Sequence, residues 1–247
     1  MKNKIFILIL LISGLKTMNA TAQTFSSGIT KVPLIELYTS EGCSSCPPAD
    51  RWLSQLKTRE NLWQDFVPIA FHVDYWDYIG WSDPFAKPAN SLRQRRYRSE
   101  GNIKGVYTPG IIFMGQEWRS WYIQKSIPKV DWSEVGELSV DIENNVAHVR
   151  FQPTVQQPTK LKAHLSILGF ELTTQVKRGE NRGKRLGHEF VSLAHIKTTV
   201  KSDQGIYKWT INLPKQYTVS KKQLGVAVWV STTDRQQPIQ ATGGWLR

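Results

Sequence analysis

Cysteine is nearly absent from this chain: two residues in 247, Cys43 and Cys46. Both fall in one Cys-x-x-Cys, so no other intramolecular bridge can form, and zinc lacks the second cysteine pair that its usual four-ligand sites draw on. Long apolar runs are missing too. The longest, Ile5 to Ile12, is far short of the roughly 20 residues that span a bilayer. Acidic residues are the minority charge, 20 against 32 Lys and Arg, for a formal net charge of +12. The cations are spread along the chain without a nucleic-acid motif, which argues against a nucleic-acid partner. The excess charge suits solubility, or contact with anionic lipids or acidic polymers.

What is present begins with the leader. Lys2 and Lys4 precede the run IFILILLI, and Ala20-Thr21-Ala22 supplies an A-x-A exit. This is the pattern of a secretory signal peptide over residues 1–22. Cleavage after Ala22 removes Lys2, Lys4 and Lys16 and no acid. The expected location is periplasmic or secreted, with no stable membrane span once the leader is gone. Export places the two cysteines where disulfides persist. Hydrophobic residues make up 40% of the chain, which makes a buried core feasible, and ten tryptophans is a high count.

Hydrophobic patterning divides the rest in two. Residues 32–39, VPLIELYT, read as a strand covered on both faces, with Pro33 at its start where a missing N–H is tolerable. After the turn-rich SEGCSSCPPAD, Trp52, Leu53 and Leu56 share one face of a helix over 48–57. Residues 66–73 read as a second strand, and Asn90 caps a helix from Ser91 to Glu100 that Gly101 ends. Residues 110–114 and 117–122 follow as two strands. From about residue 133 the pattern is alternation without helices, starting with LSVDI, the turn pair Asn144-Asn145, and VAHVRF. In KLKAHLSIL, Leu161, Ala163, Leu165 and Ile167 face one way; Lys162, His164 and Ser166 face the other. The expectation is an α/β domain over 23–130 followed by an all-β, sandwich-like domain over 131–247.

A Cys-x-x-Cys between a strand and a helix is a redox-capable arrangement. The helix start favours thiolate over thiol, so Cys43 is the candidate attacking nucleophile and Cys46 the resolving thiol. Pro47 and Pro48 weaken this: a helix that begins only there leaves Cys43 in a turn ahead of it. Three readings stand side by side: an exchange-active pair, a purely structural disulfide, and a metal site. For the last, copper held by Cys43, Cys46 and His72 is the chemistry these ligands suit.

ELYTSEGCSSCPPAD, AFHVDYWDYIGWSDPFA, RQRRY, VYTP and RGENRGKRL together resemble the exported bacterial family known as domain of unknown function 1223. The resemblance implies a thioredoxin-like N-terminal domain and no established substrate; the cysteine pair is read first as exchanging with protein thiols or disulfides of the cell envelope, with no cofactor and no resident metal. The resemblance also implies that the Thr108-Pro109 bond is cis and that Pro109 faces the cysteine pair, shaping the backbone that holds a partner strand. The sequence departs from that fold after the last strand, where residues 119–131 are short for a closing helix and contain Pro128.

Other candidates surround the pair. His72 or Asp74, at a strand end, could move protons for Cys43; a satisfied polar residue is the plainer role for His72. Tyr75, Trp76, Tyr78 and Trp81 form either a groove wall or a small satellite core. Arg93, Arg95, Arg96 and Arg98 cannot share one narrow helix face, so most are expected in solvent. The loop Arg178 to Arg185 is basic, has the glycines of a turn, and folds back over the cysteines or meets a partner. The alternative to an enzyme is a binding module with a structural disulfide and a groove at 75–81. Access to Cys43 separates the two: burial of both sulfurs under the 75–85 loop or the basic loop favours the binding module.

Overall fold

The computed structural model describes residues 22–124, 126–129, 131, 133–215 and 223–246. The expected leader, apart from Ala22, lies outside the described residues. Strand accounts for 45% of the structure and helix for 15%.

Elements are numbered along the chain. One eight-stranded sheet has the order β14 (Pro238–Leu246), β13 (Leu224–Thr232), β8 (Lys160–Gly169), β11 (Val191–Lys201), β3 (Val67–His72), β2 (Leu34–Thr39), β4 (Gly110–Phe113), β5 (Gln116–Glu117). A four-stranded sheet runs β1 (Gln23–Ser26), β6 (Gly136–Glu143), β7 (Val146–Pro153), β12 (Tyr207–Asn212). A third sheet is only the hairpin β9 (Leu172–Gln175) with β10 (Arg185–His188). The helices are short: α1 (Pro47–Ser54), α2 (Pro88–Ser99) and α3 (Trp121–Gln124).

This corrects the expected fold class. The chain is not an α/β thioredoxin-like domain followed by a separate β-sandwich; it is mostly β, and its largest sheet takes strands from both halves. The join is parallel pairing of β11 with β3 at Val191 and Ala70, reinforced where Ala70 N–H donates to Phe190 O at 2.9 Å. Strand patterns show which segments are extended and not which strand completes which edge, so each half read as self-contained. The expected boundary near 130 falls in the connection between α3 and β6.

The pairing explains the burial. β2 and β3 are parallel, Leu34 opposite Val67, and buried at every position, as parallel strands covered on both faces are. Their side chains form one core with Trp52, Leu53 and Leu56 of the α1 region and with Phe170, Phe190 and Trp229 from the second half. A second core lies between the four-stranded sheet and β8–β13: Leu138, Val140, Val149, Phe151, Leu165, Val228 and Trp209 among others. Fully burying one such aliphatic or aromatic side chain is worth about 1.5–3 kcal/mol. The β6–β7 hairpin turns at Asn144 and Asn145, both with positive φ. β8 departs from clean alternation. Both its faces are buried: Leu161, Ala163, Leu165 and Ile167 enter the second core, and on the other face His164 and Ser166 bond Ser231 and Ser192, with His164 stacked on Trp229 beneath Arg93.

Helix α2 starts at Pro88, so Asn90 sits inside its first turn and donates Nδ2–H to His72 O at 2.8 Å. Arg93 is not solvated: it is buried, with Nε 2.8 Å and Nη2 3.0 Å from the Glu36 carboxylate. Arg95 and Arg98 are exposed, as expected of that helix.

Candidate functional site

The cysteines stand in the turn between β2 and α1. Cys43 N–H donates to Ser40 O at 3.1 Å and Cys46 N–H to Cys43 O at 3.3 Å, which folds the turn tightly enough to join the two sulfurs. Cys46 is the residue before the helix. The first two helical residues, Pro47 and Pro48, have no N–H to offer. The next two donors, Ala49 and Asp50, both go to Cys46 O, at 2.9 and 3.1 Å. The helix start therefore presents none of these N–H groups to a thiolate at Cys43.

The pair is covered. Cys43 is 1% exposed and Cys46 0%. The cover is the basic loop of the β9–β10 hairpin. Asn181, itself fully buried, donates its amide to Glu41 O at 2.8 Å and to Cys43 O at 2.9 Å. The Glu180 carboxylate accepts Ser44 N–H at 3.0 Å, which holds its pKa below the usual carboxylate value. Gly179, with φ +72°, lies where a Cβ would come within 3.3 Å of Trp81 Cβ. The loop holds its own shape through Gly183 N–H to Val176 O at 2.8 Å and Lys184 N–H to Asn181 O at 3.0 Å.

Beside the turn lies a buried polar cluster. His72 Nδ1 is 2.7 Å from Asp83 Oδ2, which also accepts Glu41 N–H at 2.8 Å. Glu41 Oε1 is 2.9 Å from His188 Nε2, and Glu41 Oε2 accepts Trp81 Nε1–H at 2.8 Å. Thr39 Oγ1–H donates to Asp50 Oδ2 at 3.1 Å. The rings of His72 and His188 are 4.8 Å apart, edge to face. His72 Nε2 and His188 Nδ1 are buried with no hydrogen-bond partner. Burial works against charge on His72, but Asp83, with Asp50 and Glu41 near, holds its pKa above the ordinary imidazole value. Burial also disfavours the Asp83 carboxylate, yet His72 and the N–H groups of Glu41 and Phe85 hold its pKa down. Asp50 is pushed up by burial, against the pull of His188 and His72.

The expected site residues are only partly brought together. Cys43 and Cys46 are bonded, and the Thr108-Pro109 bond is cis. Trp76 connects the two places: a Cβ on Gly42 would lie 3.0 Å from Trp76 Cβ, and Trp76 Nε1–H donates to Thr108 Oγ1 at 2.7 Å. His72 makes its hydrogen bond to Asp83. Asp74 faces α2, where its carboxylate accepts Ser91 Oγ–H. Tyr75 OH donates to Gln94 Oε1 at 3.0 Å, and burial pushes its pKa far up. The 75–81 segment is thus mostly packing; Tyr78 alone of its aromatics stands well exposed. Among the described residues no group of three or more His, Cys, Asp or Glu side chains is placed to hold a metal ion.

Two cavities lie near Pro109 and α1, apart from a larger one of about 550 Å³ along β1, Trp63 and Trp245. A cavity of about 390 Å³ is lined by Tyr107, Pro109, Arg119, Trp121 and Tyr122. A second, of about 250 Å³, shares Trp121 and Tyr122 and continues along Pro48, Arg51, Trp52 and Gln55 of α1. Tyr122, which lines both, is 62% exposed.

Glu41, Asp50, Asp83, His188 and Asn181 were not legible as site residues. The one local signal was the polar triplet around Cys43: Glu41 next to a glycine and two residues from the cysteine. Asn181 between two glycine turns offered no clue to its burial, because its partners are 138 and 140 residues away.

A family model described as a protein of unknown function (DUF1223) matches residues 34–231. An X-ray crystal structure of an Agrobacterium tumefaciens protein is similar at 26% identity, covering 87% of this chain and 94% of that one with a TM-score of 0.58. HBP35 of Porphyromonas gingivalis shares the fold at 13% identity, covering 89% of this chain and 76% of that one with a TM-score of 0.59. No curated protein matches the chain.

Proposed function

We propose, since the chain belongs to the DUF1223 family and that description assigns no activity, that it is a non-enzymatic binding protein of the cell envelope with a structural disulfide. The observation that carries this reading is the burial of both cysteines beneath the β9–β10 hairpin. An attacking thiol must meet its partner, and Cys43 is closed off from solvent, its main-chain carbonyl held by Asn181 and its sulfur 3.4 Å from Ser45 Oγ. The electrostatics agree. The two prolines at the helix start supply no N–H to a thiolate at Cys43, and the next two helical N–H groups are taken by Cys46 O. A poorly stabilised reduced state is the mark of a structural bond; strong oxidants have a stabilised one. The disulfide fixes the turn on which Asn181, Glu180 and Trp76 converge.

The binding surface in this reading is the pair of cavities along Tyr107, Trp121, Tyr122 and α1, in place of the aromatic segment 75–81. Its aromatic and proline walls suit an extended peptide segment. Envelope location rests on the leader pattern and on a disulfide that export would preserve.

One observation favours a second reading, exchange after the hairpin lifts: β9 and β10 pair with each other and with neither larger sheet. A trapping experiment separates the two. Cys46→Ser and Cys43→Ser are expressed in the envelope and mixed disulfides are counted beside a known exchange protein. Equal, low trapping is expected. Abundant trapping by Cys46→Ser alone replaces the binding module with gated exchange. Loss of peptide-induced tryptophan fluorescence change in Trp121→Ala and Tyr122→Ala tests the groove.

A further inference from the structure

The outer face of the same hairpin carries an unbalanced charge. Lys177, Arg178, Arg182, Lys184 and Arg185 are all exposed within nine residues. The one acid among them, Glu180, is turned onto Ser44 N–H. None of the five cations forms an ion pair among the described residues. Five cations elsewhere are matched, Lys31, Lys57, Arg93, Arg96 and Arg119; others, such as Arg95, Arg98 and Lys208, also form no ion pair among the described residues, so what sets the hairpin apart is the density of its cations. The loop is also held in one shape. Asn181 plugs it into the cysteine turn, Gln175 Nε2–H donates to Gly183 O at 3.1 Å, and Lys184 Nζ donates to Asn181 Oδ1 at 2.9 Å.

We infer that this hairpin is an electrostatic contact site for an anionic lipid surface. A fixed array of unpaired cations lowers the ordering that binding demands. Each cation near an anionic bilayer adds to the attraction, and the sum falls with salt. The chemistry of the loop favours a charged surface over single-stranded nucleic acid. No aromatic or large aliphatic side chain is exposed between residues 177 and 185, so there is no stacking platform for single-stranded nucleic acid. The hairpin itself has no exposed apolar side chain to insert, so its own contact is through charge. The inference does not need the cavities along Trp121 or the redox state of Cys43.

The test is sedimentation of the full chain with vesicles of 30% phosphatidylglycerol in phosphatidylcholine, and with phosphatidylcholine alone, at 50 mM and 500 mM NaCl. The leader's apolar run acts on both vesicle types, so the difference between them is the readout. Binding about tenfold or more stronger to the anionic vesicles is expected at low salt, and loss of that preference at high salt. A variant with Lys177, Arg178, Arg182 and Arg185 all changed to Gln should lose the preference. A control with the same charge change at exposed Lys160, Lys201, Lys208 and Arg235 should keep it. Equal loss in both variants would show net charge alone and overturn the site. No preference in the unmodified chain, or hairpin-dependent binding of soluble polyglutamate or heparin without vesicle binding, would overturn it as well.

Discussion

Two histidine pairs lie in or beside the large sheet, and the pKa of His72 in one is shifted in the opposite direction to those of both members of the other. His72 and His188 lie beside the cysteine turn among Glu41, Asp50 and Asp83, and His72 is held above the ordinary imidazole pKa. His164 and His195 lie on the far strands, Nδ1 to Nε2 at 3.1 Å, stacked on Trp229. Burial pushes both well below the ordinary value, and Arg93, whose guanidinium is 5.2 Å from the Trp229 ring, pushes the same way. The same residue type is thus tuned toward charge on one side and toward neutrality on the other. The acids beside the cysteine turn hold a proton on His72, while the far pair, next to Arg93, is held neutral.

The largest expected effect comes from removing the cation of the neutral pair. Arg93→Met leaves Glu36 buried without its partner, and a broken buried ion pair costs about 3–5 kcal/mol. Urea unfolding at pH 7 measures it, and a loss under about 1 kcal/mol would mean that Tyr97 and Tyr38, both hydrogen-bonded to Glu36, satisfy the acid unaided. Next is Asp83→Asn on the acidic side. It removes a charge-assisted hydrogen bond worth about 1.5–3 kcal/mol. Because Asp83 is what holds the His72 pKa up, that contribution is fully present below the unfolded histidine value and is lost as pH rises through the folded one. The variant should therefore lose more stability at pH 5.5 than at pH 8, and the His72 resonance should titrate at lower pH.

The neutral pair gives the opposite slope. His164 and His195 bind their protons more readily unfolded, so stability falls as pH drops below about 6.5, by up to about 1.4 kcal/mol per pH unit for each histidine. His164→Gln with His195→Gln should flatten that limb while leaving the Asp83-dependent one. The most local effect is at the latch. Asn181→Ala loses two hydrogen bonds to main-chain carbonyls, about 0.5–1.5 kcal/mol each in net terms. It should speed amide exchange at Ser44 and within 176–184 without moving that of β8 or β13. Unchanged exchange at Ser44 would show that the hairpin is held by His188 and Gly179 instead.

Sequence carried the local half of this account. A strand, a Cys-x-x-Cys and a helix delayed by two prolines could be read from residues 32–54, and the basic loop from its glycines. The Asn144-Asn145 turn was legible for the same reason: positive φ is a property of the residue and its neighbours. Long-range partners were not legible. Glu36, inside an apolar strand, gave no sign of Arg93, because 57 residues separate them. Nor did Val191 announce its pairing with Ala70, the contact that fuses the two halves into one sheet. Strand periodicity encodes which face is buried; the identity of the covering strand depends on the whole topology.

The reduction potential of the Cys43–Cys46 bond tests the central claim most directly. Equilibration of the full chain against defined dithiol buffers, with alkylation and mass readout, gives it. A value below about −300 mV, with Cys43 slow to react, is the result predicted for a buried structural bond. A value near those of exchange-active pairs, about −270 mV or more oxidising, with rapid alkylation of Cys43 alone, would contradict it.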